Sequence, residues 1–274
     1  MTEREYRTGI GTSDADSISL LGHDLPELLG TLGFAELAYW LICGRRPSSG
    51  EARVFDAVLV ALADHGFTPT AIAARMTYYS APESLQGALA AGLLGSGSRF
   101  LGVTEDTGTY LAAALGRADT AEFGASDWDR LATEAIIGSL GRNEKIPGLG
   151  HPVHKTTDPR THAIVVISRD AGVYGPHLAL FEAIGRVHPG LLGRTLPLNG
   201  AGVSGAALAD AGVPPQLLRG VALLARTAGL LGHLAEERRE PVAPDIYFEI
   251  DRHAVYTPPS VQQETTQRKG KGPS

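Results

Sequence analysis

A single cysteine, Cys43, in 274 residues excludes a disulfide framework and fits a reducing compartment. Basic surplus is missing too. Lysine and arginine number 24 against 30 acidic residues, a net charge of −6, and no basic stripe supplies a footprint for nucleic acid. The apolar runs are interrupted by glycine, histidine or arginine, and no signal-peptide apolar region opens the chain, so a soluble, cytoplasmic protein without a membrane partner is the expectation. Strand signals are scarce, with 246–250 (IYFEI) the only short candidate. No G-x-x-x-x-G-K-[ST] loop, no G-x-G-x-x-G in a βαβ frame and no G-x-S-x-G elbow is present, which argues against those nucleotide loops and that nucleophile. No repeat of fixed period occurs.

What is present is the helical period. Leu37, Ala38, Leu41 and Ile42 share a face in a segment that Gly44 stops as a C′ residue. Val54, Val58, Leu59 and Leu62 repeat the pattern and run into Asp64-His65-Gly66. Pro82 lies near the start of a third helix bearing Leu85, Ala88, Leu89 and Leu93, whose alanines and glycines allow a neighbour close. Trp128, Leu131, Ala135 and Ile136 mark another, and further patterns cover 161–171, 176–187, 203–211 and 215–237. The predicted fold class is mainly α. A small helical lobe is expected over 95–187, a large one from 1–94 and 188–259, and a polar disordered tail over 260–274.

Chemistry concentrates at 146–160, IPGLGHPVHKTTDPR. Pro147, Pro152 and Pro159 break a helical ladder while Gly148 and Gly150 free the backbone, so two histidines, a lysine and an arginine sit on a loop. A loop presenting imidazole and cations suits a carbonyl or phosphate ligand; a metal loop or a plain surface turn remain alternatives. Zinc is weakly supported, because H-x-x-H in a proline-rich loop lacks the helical frame that orients paired ligands, and no metal is predicted. His65 ends an amphipathic segment. It is either a histidine seated in a helix dipole or a donor aimed into a cleft. Arg226 lies in an apolar helix, GVALLARTAGLLGHLAEE, as either an internal ion pair or a fixed anion receptor, and the receptor is favoured. His233, seven residues on, reads as a satisfied structural histidine.

These pieces in this order resemble the citrate synthase superfamily, most nearly its short citryl-CoA lyases and the C-terminal lyase module of ATP-citrate lyase. The likeness runs from about residue 18 to 256. SLLGHDLPELLGTLGFAELAYWLICGRRP resembles a Gly-Tyr/His-Asp turn before two helices, and ALADHG the segment whose histidine binds the oxaloacetate portion. APESLQGALAAGLLGSGSRF is similar to the Gly/Ala-rich helix that follows. IPGLGHPVHKTTDPR matches G-H-x-x-x-K-x-x-D-P-R, and LLARTAGLLGHLAEERREP the C-terminal arginine helix.

The resemblance implies a two-lobed helical subunit, a homodimer, with the site in the cleft between lobes. It implies that His65 and His151 contact the oxo or hydroxyl group of a citrate-derived substrate. Arg160 and Arg226 would bind its carboxylates, and the backbone of Ile146, Pro147, Gly148, Leu149 and Gly150 would cradle the adenine of coenzyme A. Lys155 would meet the anionic part of that cofactor, which enters as thioester substrate or product. The implied reaction joins or cleaves a carbon–carbon bond between an acetyl-type unit and a 2-oxo acid.

Two departures bear on activity. Phe100 stands where citrate synthases carry a histidine, as in the ATP-citrate lyase module. Leu196 to Gly202 aligns with the N-V-D-G segment, with Gly200 in place of valine and Ala201 in place of the aspartate that serves as acid/base on the acetyl carbon. Alanine transfers no proton, and such groups contribute about 10²- to 10⁴-fold in rate. Glu105, Ser204 and His154 are the candidates for a substitute; Asp210 matches a different family position. The second reading is a homologue that binds a CoA ester or citrate-like acid without turnover.

Overall fold

The computed structural model describes residues 5–116 and 118–258; the tail expected at 260–274 lies outside them. Among the described residues the fold is mainly α, with twelve α-helices and one small sheet. The sheet corrects the sequence reading. β1 (Gly11–Ser13), β2 (Ile18–Leu20) and β3 (His23–Asp24) form an antiparallel meander with Gly11 opposite Leu20 and Leu20 opposite His23. Leu21 and Gly22 both have positive φ, 53° and 81°, the two-residue turn whose twist suits a hairpin. Strands of two or three residues are too short to print an alternation.

The expected strand at 246–250 lies instead inside a helix, Ala243–His253. The cause is a tertiary cap. Glu237 Oε1 accepts the main-chain N–H groups of Val242 (3.0 Å) and Ala243 (2.9 Å), satisfying donors that open the helix. Local β preference loses to that cap.

Most other helices follow the periodic segments, but Pro69–Ser80 and Val103–Leu115 are helices where the sequence pattern marked none. After a single turn, α1 (Leu25–Leu28), come α2 (Phe34–Cys43), closed by Gly44 in the left-handed region as expected, and α3 (Ser49–Ala63), opened by a Ser48/Glu51 capping box. Next are α4 (Pro69–Ser80), α5 (Leu85–Leu94), α6 (Val103–Leu115) and α7 (Ala125–Gly141). The 146–160 loop leads into α8 (Pro159–Asp170), α9 (Pro176–Leu192) and α10 (Gly200–Asp210). A 3-10 turn (Pro215–Leu217) then enters α11 (Leu218–Arg239), and α12 is Ala243–His253.

Helix α10 is the innermost, buried continuously from Gly202 to Leu208 and packed by α3, α6, α8, α9 and α11. Its main core includes Tyr39, Phe55, Leu62, Leu111, Phe181 and Leu208; a second cluster joins α4, α5 and α11 through Ala71, Ala74, Ala88, Leu230 and Leu234. Helix α11 is long and apolar enough to cross a membrane by composition, yet here it packs against α3, α4, α5 and α6. Asp210 at the end of α10 accepts the N–H groups of Gly175, His177 and Leu178 at 2.9–3.0 Å, capping α9. That use removes it from any pool of free acids.

Where α11 crosses the end of α3, a methyl group on Gly229 would overlap the carbonyl oxygen of Ala63. Gly232, on the same helix, faces open space. Gly229→Ala is therefore expected to lower stability by about 1–3 kcal/mol through overpacking. Gly232→Ala should be neutral or stabilising by up to about 1 kcal/mol. Calorimetric melting of both variants checks this, and equal melting points would contradict the close approach.

Candidate active site at the 146–160 loop

The loop is fixed to the start of α10 by a short antiparallel bridge. Gly150 N donates to Pro197 O at 2.7 Å, Asn199 N donates to Gly148 O at 2.9 Å, and Asn199 Nδ2 donates to Gly150 O at 2.8 Å. Gly148, at φ +80°, lies so close to Gly202 and Phe181 that a side chain would collide with both. These bonds use backbone groups of Gly148 and Gly150 internally. Among the proposed cradle residues, Ile146 and Gly148 are buried, whereas Pro147, Leu149 and Gly150 are partly accessible.

Asp158, to which the sequence pattern assigned no role, joins the loop to α10. It is 3% exposed and accepts four hydrogen bonds: from Arg160 N (3.1 Å), Nε (3.0 Å) and Nη2 (2.7 Å), and from Gly200 N (2.7 Å). Burial pushes its carboxyl up, but the Arg160 guanidinium and the Gly200 N–H outweigh that and bring it down to about 2. The signal was the D-P-R of the motif, with proline at a helix start. Arg160 thus spends its Nε–Nη2 edge on Asp158, and its Nη1 reaches Ala61 O at 3.4 Å. A methyl on Gly200 would overlap the guanidinium, which gives a steric reason for glycine where the family pattern has valine.

Three imidazoles meet over this platform. Ring centroids are 5.2 Å apart for His65–His151, 5.5 Å for His65–His154 and 4.4 Å for His151–His154. His65 is not seated in the dipole of α3. The helix stops at Ala63, Asp64 takes an extended conformation, and His65 turns towards the loop. Burial and nearby Arg160 lower its pKa, the reverse of a helix C-terminal histidine. His151 falls to about 4, through burial first and the His154 ring second, and is neutral at physiological pH.

Its tautomer is also set. Nδ1 accepts main-chain N–H groups from Val153 (3.1 Å) and His154 (2.9 Å), so the proton of the neutral ring sits on Nε2. One nitrogen from each of the three rings lies within 4.8 Å of the others, close enough for a metal. A protonated Nε2 on His151 is a hydrogen-bond donor, however, and the ring would have to give up both main-chain bonds to offer Nε2 as a ligand.

Arg226, on α11, lies near enough to Asp64 and Arg160 for both charges to act on it. It is 4% exposed, donates from Nη1 to Thr68 Oγ1 at 3.2 Å, makes no ion pair among the described residues, and leaves Nε buried with no partner. The ion-pair alternative is therefore not what the fold builds. Burial pushes its pKa down, as expected for a guanidinium short of anions. His233 is satisfied on both sides. Arg75 Nε donates to its Nδ1 at 3.1 Å, and its Nε2 meets Asp64 Oδ1 at 2.9 Å. Arg75, wholly buried, also binds Glu236 and Glu237. Lys155 is exposed and folds back, with Nζ 2.6 Å from Pro152 O.

One helical fold thus carries a neutral imidazole donor, His151, and a buried guanidinium, Arg226, that makes no ion pair among the described residues. The citrate synthase C-terminal domain family matches residues 22–244. The chain belongs to that family. It is 31% identical over 232 residues to a citrate synthase of Deinococcus radiodurans, covering 78% of this chain and 55% of that one. A Haloferax volcanii citrate synthase is 24% identical, with 60% of its length covered, so the chain spans just over half of these curated relatives. The structure of citryl-CoA lyase from Hydrogenobacter thermophilus superposes with a TM-score of 0.79 at 30% identity, covering 93% of this chain and 96% of that one. An ATP citrate lyase from Methanothrix soehngenii, in complex with citrate and coenzyme A, gives 0.75 at 19% identity, covering 96% and 43%.

Removing the Asp158 charge tests the platform. Asp158→Asn leaves Arg160 without its counter-ion and is expected to cost about 3–5 kcal/mol at neutral pH. Because the folded carboxyl titrates near 2 rather than 3.8, its contribution is complete above about pH 4 and fades as pH falls towards 2. Denaturant melts of wild type and variant should converge over that window; a gap independent of pH would contradict the assignment.

Proposed function

We propose that this chain binds a citrate-type carboxylate with its coenzyme A thioester and cleaves or forms the carbon–carbon bond between an acetyl-type unit and a 2-oxo acid. The observation that carries the reading is Arg226. A guanidinium 4% exposed, with a buried unpartnered Nε and no ion pair among the described residues, is a charge that an anionic ligand would compensate. Arg160 has already committed one edge to Asp158 and offers its other edge to a second carboxylate.

In this reading the neutral His151 donates from Nε2 to the oxygen that is a hydroxyl in the citryl unit and a carbonyl in the 2-oxo acid. His65 faces the same point and adds a second polar group. Donors placed where charge develops need no reorganisation during reaction. Pro147, Leu149 and Gly150 would line the adenine, with Ile146 and Gly148 giving the loop its shape and Lys155 standing near the anionic part of the cofactor. The expected lobe over 95–187, a cytoplasmic location and a homodimer belong to the same proposal.

A second reading has one observation in its favour. Ala201, at the start of α10 beside the loop bridge, presents only a methyl group where the family pattern has its aspartate. A binding homologue without turnover needs Arg226, Arg160 and His151 but no acid there.

Assay of wild type and Ala201→Asp with citryl-CoA, following acetyl-CoA and oxaloacetate, separates the two. Turnover by wild type is the expected result. Activity confined to Ala201→Asp would establish the binding reading, and silence in both would remove citryl-CoA as the substrate. In parallel, Arg226→Gln should weaken citrate binding about 10- to 100-fold in calorimetry, the equivalent of a charged hydrogen bond of about 1.5–3 kcal/mol. Unchanged affinity would contradict the receptor.

A further inference from the structure

Cleaving a citryl thioester requires one proton to leave the tertiary hydroxyl and one to arrive at the acetyl carbon. Ala201 can do neither. The structure gives most of the candidate replacements other partners. Glu105 lies on α6 in an ion pair with Arg219 Nε at 2.9 Å. Ser204 is wholly buried and donates to Gly200 O at 2.7 Å, inside its own helix. Asp158 is saturated by four donors, and Asp210 caps α9. His151 is locked as a neutral donor by two main-chain bonds to Nδ1.

His154 differs from all of these. It is half-buried, its ring lies 4.4 Å from His151 and 5.5 Å from His65, and neither of its ring nitrogens has a hydrogen-bond partner among the described residues. Its own main-chain N–H fixes His151, so the two rings are held in register. The residue falls at an unspecified position of the G-H-x-x-x-K motif, which therefore gives it no role.

We propose that His154 is the acid/base of this site, standing in for the missing carboxylate. The inference rests on the lyase reading above. In the cleavage direction, an unprotonated His154 nitrogen takes the hydroxyl proton while His151 Nε2–H holds the oxygen. The oxygen's electron pair forms the new C=O as the carbon–carbon bond breaks. The bond's electrons pass to the acetyl unit as a thioester enolate, and the imidazolium returns its proton to the enolate carbon. Protons and electrons balance without a co-reactant, so one base serves both transfers.

The test compares wild type, His154→Gln and His154→Ala in citryl-CoA cleavage, with citrate affinity measured on each. The expected result is a fall in kcat of roughly 10²- to 10⁴-fold with KM and citrate affinity nearly unchanged. Added imidazole should restore part of the rate to His154→Ala, which a purely structural role would not allow. Undiminished kcat in both variants would overturn the role of His154 and leave the lyase reading standing. A kcat loss matched by lost citrate binding would assign the residue to loop structure and also overturn it. A wild type that releases no acetyl-CoA would remove the lyase reading and this role with it.

Discussion

The carboxylate of Asp158 is the contact on which the rest of the site depends. It binds Arg160 through two side-chain bonds and one main-chain bond, and it takes the first N–H of α10. One buried anion therefore joins the end of the loop, the start of α8 and the innermost helix. A buried ion pair adds little net stability because desolvation offsets the attraction. Its effect here is geometric. Arg160 is held over Gly200, and the loop bridge at 148–150 and 197–199 holds His151 beside the same helix end. Glycine at position 200 leaves the guanidinium its place.

A second chain of contacts reaches the other side. Glu237 caps α12 with one oxygen and binds Arg75 with the other; Arg75 holds His233, and His233 meets Asp64, the residue before His65. Arg75 is wholly buried and bonded through all three of its nitrogens, whereas Arg226 is buried and makes no ion pair among the described residues. Of these two buried arginines one is satisfied by carboxylates and the other is not, which makes the first a structural cation and the second the proposed receptor. It also explains how His65, outside any helix, keeps a fixed position.

Much of the fold was legible because most of its longer helices repeat an apolar face, although α4 and α6 carried no pattern that was singled out. Gly44 worked as local punctuation, whereas Pro159, read as breaking a helical ladder, opens α8 and puts Arg160 in its first turn rather than on the loop. The β meander was missed because its strands are shorter than one alternation, and 246–250 was misread because the Glu237 cap is tertiary and invisible locally. His151, Arg160 and Arg226 were legible through motif spacing and through the oddity of a cation in an apolar helix. Asp158 and Arg75 were not singled out, since what makes them matter is their partners, Gly200 and Glu237, some 42 and 162 residues away. The direction of the His65 ring likewise depends on Asp64 leaving the helix in an extended conformation.

Arg226 and His151 are proposed to bind one carboxylate ligand between them. A crystal structure of the protein with citrate bound tests this most directly. The expected structure has a citrate carboxylate oxygen within hydrogen-bond distance of Arg226 Nε, and the citrate hydroxyl on His151 Nε2 with both main-chain bonds to Nδ1 intact. Citrate bound elsewhere, or Arg226 turned to a carboxylate of the protein itself, would contradict it.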